Sequence, residues 1–220
     1  MVTAARKKQC DRCGSCCLQG GPALHSGDLD LLRNGHLALS DLVTIRRGEL
    51  ALQPMAESPA PVESEFLKVA GRDGSWACRF YDEPGRACTI YGNRPLACGL
   101  FDCTAPEAVL GITGRDLLTR FSCAGHDDPM AAVAIRHDKE FPCPDLARLA
   151  ARLDESRYRE AVLAELTPLV NRELAFRSRI AREFDLSLGL ELFWLGRPVF
   201  QLLLPLGVQV RPEASGLVLS

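Results

Sequence analysis

The pattern of hydrophobic and polar positions changes character near residue 144. Downstream of Pro144, the residues Leu146, Leu149, Leu153, Val162, Leu163 and Leu166 recur near helical spacing with Arg and Glu between them. This predicts an amphipathic helix over 145–166. Pro168 is expected to break or kink it, with a second helix over 169–184. Glu155 stands four residues before Arg159, a spacing that predicts an ion pair on a solvated face. The stretch 186–207 is apolar and about long enough to span a membrane. Glu191, Arg197, Pro198 and Pro205 interrupt it, and each charge at mid-membrane costs about 2.5 kcal/mol or more. A buried or partner-covered segment is therefore expected, with terminal strands at 208–210 and 217–219.

Upstream, the pattern is short and broken. Ser26 offers an N-cap for a short helix through Leu29, Leu31 and Leu32, with Asn34-Gly35 as its stop. Residues 43–45 and 50–52 flank Arg46-Arg47-Gly48-Glu49 and predict a small hairpin or a helix-to-turn change. Residues 66–69 and 76–80 bracket Arg72-Asp73-Gly74, which predicts a β-hairpin with Cys78 on the return strand. A further turn is expected at Glu83-Pro84-Gly85. Glycines at 111, 114 and 125 argue against a long helix in 104–143. The fold class expected is α+β. A loop-rich, cysteine-rich, metal-organised part with short hairpins (1–143) precedes a helical part (144–220) that packs on it or on a partner.

Composition narrows the class. Of 220 residues, 47% are hydrophobic and 25% charged, which describes an ordinary globular chain. The net charge of −2 argues against a general nucleic-acid binder. Residues 1–8 contain no apolar signal core, so a cytoplasmic location is expected. There the ten cysteines are read as metal ligands before disulfides.

Four of the ten fall in Cys10-Asp11-Arg12-Cys13-Gly14-Ser15-Cys16-Cys17. Two-residue gaps on a tight, glycine-bearing loop suit three corners of a [4Fe–4S] cluster or three ligands of a zinc ion. Cys78, Cys88 and Cys98 each stand beside turn or strand signals. The all-cysteine motif leans toward iron–sulfur over zinc. Cys123, His126, His137 and Cys143 are a separate option, a mixed Cys/His zinc site, although unliganded histidines are the simpler expectation. Cys103 and Cys143 are read first as small buried hydrophobes. Arg94 is expected to hydrogen-bond carbonyls or offset the site's negative charge, and Trp76, Phe80, Tyr91 and Phe101 to form an apolar shell.

The first cluster, Cys78-Arg79-Phe80, Cys88-Thr89-Ile90-Tyr91 and Arg94-Pro95-Leu96-Ala97-Cys98 together resemble the YkgJ-like cysteine-cluster family. These are the CxxCxxCC proteins, described as zinc- or iron-chelating. The resemblance spans about residues 10–125. Cys123-Ala124-Gly125 stands where members often have Cys-Pro-Gly, and Gly99-Leu100-Phe101-Asp102 departs from the usual Arg and Phe-Pro. The resemblance implies a metal or Fe–S centre on Cys10, Cys13, Cys16, Cys17, Cys78, Cys88, Cys98 and Cys123. Eight thiols suffice for two four-thiolate centres or for one with structural spares. The role expected is structural or redox. One branch is similar to flagellin lysine N-methylases, which implies a modifying enzyme as the alternative. No strand–GxGxxG–helix loop for S-adenosylmethionine is visible, and no catalytic constellation stands out. A protein partner on the apolar C-terminal region is the one macromolecular contact expected.

Overall fold

The structure is a computed structural model and describes residues 10, 12–53, 56–72, 74–124, 127–214 and 216–220. His126 lies outside the described residues.

Helix α1 (Ser15–Leu18) carries Cys16 and Cys17. A 3₁₀ turn at Ser26–Asp28 runs into α2 (Leu29–Arg33), which stops at Asn34. The cap before it is His25, whose backbone N–H is held by the Asp28 carboxylate at 2.8 Å. Strand β1 (Leu42–Ile45) follows, then β2 (Leu50–Ala51), β3 (Ala60–Pro61) and β4 (Phe66–Val69).

Strands β1, β2 and β4 lie where apolar runs predict them, β3 arises without such a run and 76–80 forms no strand, and the pairing differs. Strand β4 pairs antiparallel with β1, Leu42 opposite Val69 and Ile45 opposite Phe66, and β2 pairs with β3. Neither predicted hairpin, 43–52 or 66–80, forms as such. Beyond β4, only an isolated bridge joins Gly71 to Cys78. Burial is the reason: Leu42 and Leu67 are fully buried, and pairing β1 with β4 presents both to the same core. Strands β5 (Tyr81–Asp82) and β6 (Ala87–Cys88) do form the tight hairpin expected around Glu83-Pro84-Gly85.

The stretch without a clear pattern contains helices. After α3 (Leu96–Leu100) and α4 (Glu107–Leu110) come α5 (Arg120–Cys123) and the twelve-residue α6 (Pro129–Glu140). Asp128 caps α6 by accepting the Met130 N–H at 2.8 Å, with Pro129 at the first helical position, a start signal legible in the chain. Helix α7 (Leu146–Asp154) buries Leu146, Leu149 and Leu153 on one face.

Helix α8 (Ser156–Glu183) runs unbroken through Pro168, against the expected break. The proline ring removes one i→i−4 bond, yet apolar residues on both sides of it, Leu166 and Val170 among them, are buried in one core. That burial outweighs a local loss of about 3 kcal/mol. Pro168 itself is exposed. Replacing Pro168 with Ala is therefore expected to raise stability by roughly 1–3 kcal/mol, because it restores a donor without removing packing. A chemical-denaturation midpoint reads this. The Glu155–Arg159 pair is not made: Glu155 takes Arg157 at 2.8 Å, while Arg159 donates to the Gly207 carbonyl.

The apolar tail divides into α9 (Leu188–Leu195), α10 (Val199–Leu203) and a hairpin of β7 (Val210–Glu213) with β8 (Gly216–Leu219). Among the described residues no helix is long and apolar enough to cross a membrane. Helix α9 packs on β1, and Phe193, Trp194 and Leu195 share a core with Leu24, Leu42, Leu67 and Val69. The cysteine-bearing half thus has an apolar core, completed by residues from the helical half. The fold is α+β, with small two-stranded sheets upstream and helices dominating downstream.

Candidate metal centre

The first thiol loop has little regular structure, and its shape is set by backbone conformation. Arg12 and Gly14 have positive φ, 55° and 82°. Gly14 is buried, and a Cβ there would stand 2.0 Å from the Tyr81 hydroxyl. Both the left-handed backbone and the contact exclude a side chain. Gly14→Ala is expected to displace the loop and at least halve the metal bound per chain, read by elemental analysis of the folded protein. Bound metal equal to that of the parent would refute this role for Gly14.

Beyond Gly14, α1 projects Cys16 and Cys17, whose sulfurs stand 4.0 Å apart. The Arg12 amide donates to Cys10 Sγ at 3.3 Å, an amide-to-sulfur bond of the kind that stabilises a thiolate.

Three more segments meet this loop. The Cys17 carbonyl accepts the Cys78 amide at 2.7 Å, which ties the first thiol segment to the second. Tyr81, against Gly14, lies opposite Cys88 in the β5–β6 hairpin. The segment before Cys98 is held by Asp28, whose Oδ1 accepts the Leu96 amide at 2.7 Å. Asp28 is 2% exposed. The cap is His25 and not the expected Ser26, and Asp28, three residues after it, closes a capping box. Tyr91 is flanked by two guanidinium groups, Arg94 at 3.8 Å and Arg12 at 4.7 Å from the ring centroid. This stack clasps the Cys10–Cys13 loop to the segment between Cys88 and Cys98 and is worth about 0.5–2 kcal/mol per cation. Arg94 thus works through a ring face, and its buried Nε has no hydrogen-bond partner among the described residues.

The thiols sense one another. Burial raises Cys16, and the charges of Cys10 and Cys13 add to the effect. Burial, then Cys16, Cys78 and Cys88, push Cys17 up to about 12. Cys78 is raised by burial, with Cys88 and Cys16 contributing, and partly offset by Lys68. Cys98 is raised furthest, by burial and by Cys78, Cys16, Cys17 and Cys88. The electrostatics therefore bring Cys10, Cys13, Cys16, Cys17, Cys78, Cys88 and Cys98 into one neighbourhood. Thiols that oppose each other's ionisation are the groups a cation reverses, because coordination deprotonates a thiol outright. Among the described residues no three His, Cys, Asp or Glu side chains stand together as a ready-made single-ion site. The fit to a thiophilic centre rests on the donor set itself, which is seven sulfurs and no imidazole.

The other candidates lie elsewhere. Cys123 is raised to about 11 by burial alone, and no other cysteine contributes. It lines a groove with Leu29, Leu32 and Leu37. Cys143 sits beside Gly48 and feels Glu49, Arg46 and Arg197. His137 is fully buried between Phe141 and Phe176, with Nε2 3.1 Å from Glu173. The described members of the mixed Cys/His set thus face different surroundings. Cys103 is exposed. Trp76, expected in an apolar shell, is 56% exposed.

No curated protein and no solved structure matches the chain. A family model does, over residues 9–116, and it is described as "CxxCxxCC: Putative zinc- or iron-chelating domain". The matched stretch contains the seven converging cysteines and ends before Cys123. Residues 9–116 thus match the CxxCxxCC family, whose domain is described as zinc- or iron-chelating.

Proposed function

We propose that Cys10, Cys13, Cys16, Cys17, Cys78, Cys88 and Cys98 hold an iron–sulfur cluster whose role is to organise the loops that bear them, with zinc as the competing occupant. The observation that carries this reading is the electrostatic convergence of cysteines from four separate stretches of chain, with the Cys17 carbonyl bonded to the Cys78 amide. Seven sulfurs fill one four-thiolate centre and leave three over, so a single centre accounts for the set and two complete four-thiolate centres do not. Cys123 is left out because nothing couples it to the others. A bound centre supplies cross-linking between loops that hydrogen bonds alone join sparsely. The residues around it do the rest: Gly14 shapes the loop, Asp28 fixes the approach to Cys98, and Arg12 and Arg94 offset the thiolate charge.

Anaerobic purification followed by metal analysis and an electronic spectrum tests the proposal. Iron with acid-labile sulfide and visible absorbance that bleaches on reduction is the expected result. Colourless protein with stoichiometric zinc would assign the site to zinc. Cys16→Ser and Cys98→Ser are expected to lower bound metal at least severalfold, and Cys103→Ser and Cys123→Ser to leave it unchanged. Equal metal content in all four variants would overturn the ligand set.

A further inference from the structure

Beside the thiol neighbourhood, two cations share one exposed aromatic ring. Lys68 Nζ lies 5.9 Å and Arg197 Cζ 5.1 Å from the centroid of Trp76. We propose that Lys68 and Arg197, with the Trp76 ring, form a binding site for a small oxyanion, a carboxylate or phosphate group, at the border of the metal centre.

Lys68 is an unusual residue for its position. It sits in β4 between Leu67 and Val69, both buried, and is itself half-buried. Among the described residues its side chain makes no hydrogen bond and no ion pair, so three donors of an ammonium group are left unassigned. Burial and the charge of Arg197 pull its pKa down, and Cys78 partly offsets them. Arg197 is better served. Glu49 Oε2 accepts from its Nε at 2.8 Å and takes an Nη at 2.6 Å. The other oxygen of that carboxylate faces Arg46 at 3.5 Å, so Glu49 serves two guanidinium groups and makes no ion pair with Lys68. A ring face attracts each cation but does not neutralise it.

Access is built in by Gly20. Its φ is +131°, and a Cβ there would stand 3.0 Å from Lys68 Nζ, so a side chain at this position would cover the ammonium. Trp76, 56% exposed, leaves one apolar wall open to solvent. The half-buried Lys68 ammonium and the Arg197 guanidinium, whose side chain is 11% exposed, offer donors that suit an anion with at least two acceptor oxygens. Cys78 is a negative alternative within the chain, since its charge acts on Lys68. If Lys68 serves only to balance the thiolates, its loss changes the metal centre and no external anion is needed.

The test uses the full-length protein as purified, with metal content measured on the same sample. Tryptophan emission is titrated with inorganic phosphate and, separately, acetate, at constant ionic strength with chloride as the reference. Trp194 is buried, so Trp76 is the responsive fluorophore, and Trp76→Phe is expected to remove the signal. A saturable response to one oxyanion, absent with chloride, is expected. Selectivity for phosphate would identify a phosphate monoester as the ligand class, and selectivity for acetate a carboxylate. Lys68→Met is expected to weaken the response roughly tenfold or more without changing bound metal. Identical responses to chloride and oxyanions would overturn the site, as would an undiminished response in Lys68→Met. If that variant does not fold, the parent titration decides, because the absence of any saturable oxyanion response is itself a refutation. Reduced metal in Lys68→Met with no oxyanion response in the parent would assign Lys68 to the thiolates alone. The metal reading would then stand without this one.

Discussion

Stripping the metal with a strong chelator under reducing conditions is expected to open the loops at 10–20 and 83–103 and to leave the rest of the molecule folded. The loops have little else to hold them. Helix α1 buries no residue, and Cys10, Cys13 and Cys16 are exposed. The 10–20 loop is tied by the Gly14–Tyr81 contact, the Cys17–Cys78 hydrogen bond and the Arg12–Tyr91–Arg94 stack, and 83–103 by the Asp28–Leu96 hydrogen bond, whereas 76–82 is anchored by Arg79 on Ser40 and Asp41 and by Cys78 and Tyr81 in the core. Net contributions of about 1 kcal/mol per hydrogen bond do not offset the ordering of so many residues, at about 1–2 kcal/mol each. A thiolate-bound structural metal contributes on the order of 10 kcal/mol, which does. The β1–β4 pair and α9 need no such help, since Leu24, Leu42, Leu67, Phe193 and Leu195 are all fully buried around them. Hydrogen exchange before and after chelation should therefore show protection lost in the two loop stretches and retained in β1, β4, α7 and α8. Unchanged protection at 12–20 would sink the structural role of the centre. Global unfolding would show that the apolar core is not self-sufficient.

Glu173→Ala is expected to destabilise the protein by roughly 3–5 kcal/mol, as breaking a buried ion pair does by stranding the partner charge. Glu173 is fully buried and gathers three donors: Arg177 Nε at 2.6 Å, His137 Nε2 at 3.1 Å and the Val199 amide at 3.0 Å. Through them one carboxylate joins α6, α8 and the start of α10. Arg177, 2% exposed, continues the network to Glu191 and to the Leu195 carbonyl. Burial opposes the ionised form, but the His137 hydrogen bond and Arg177 outweigh it and hold the Glu173 carboxyl down at about 2.

A carboxylate depressed on folding stabilises the native state above its unfolded pKa and loses that contribution as pH falls through its folded value. The ordinary value is 4.5, so stability should fall between about pH 5 and pH 2. The contribution at stake is on the order of 3 kcal/mol. Denaturation midpoints followed over this range should decline more steeply in the parent than in Glu173→Gln. Equal slopes would show that Glu173 does not carry the acid sensitivity.

The cysteine motif was readable because chelation is a local demand. Thiolates that share a centre must be brought close, and a tight loop with a glycine is how a short chain does that. Helix α7 has a comparable local signal in the Leu146, Leu149, Leu153 stripe, whereas α6 forms within 104–143, where the glycines argued against a long helix, its start marked by Asp128-Pro129. The stop at Gly35 and the hairpin around Pro84-Gly85 are likewise conformational needs of one or two residues. These features belong to the sequence because each is satisfied within a few residues of itself.

Other features depend on partners far along the chain. Residues 66–69 had a good turn after them, yet β4 pairs with β1, and in that register Leu42 and Leu67 are buried in one core with residues of α9. Pro168 stays helical because burial of α8 on both sides outweighs one missing bond. Glu173 and Arg177 stand four apart in the sequence, but nothing local says that the pair is buried or that His137 completes it. The placement of Cys78, Cys88 and Cys98 beside the first loop, with Cys123 in a separate groove, is of the same kind. Ligand chemistry and chain-local geometry were in the sequence. Which thiols meet, which charges are buried and which cations are left without a partner were decided by tertiary packing, since burial and electrostatic pairing act between residues that only the fold brings together.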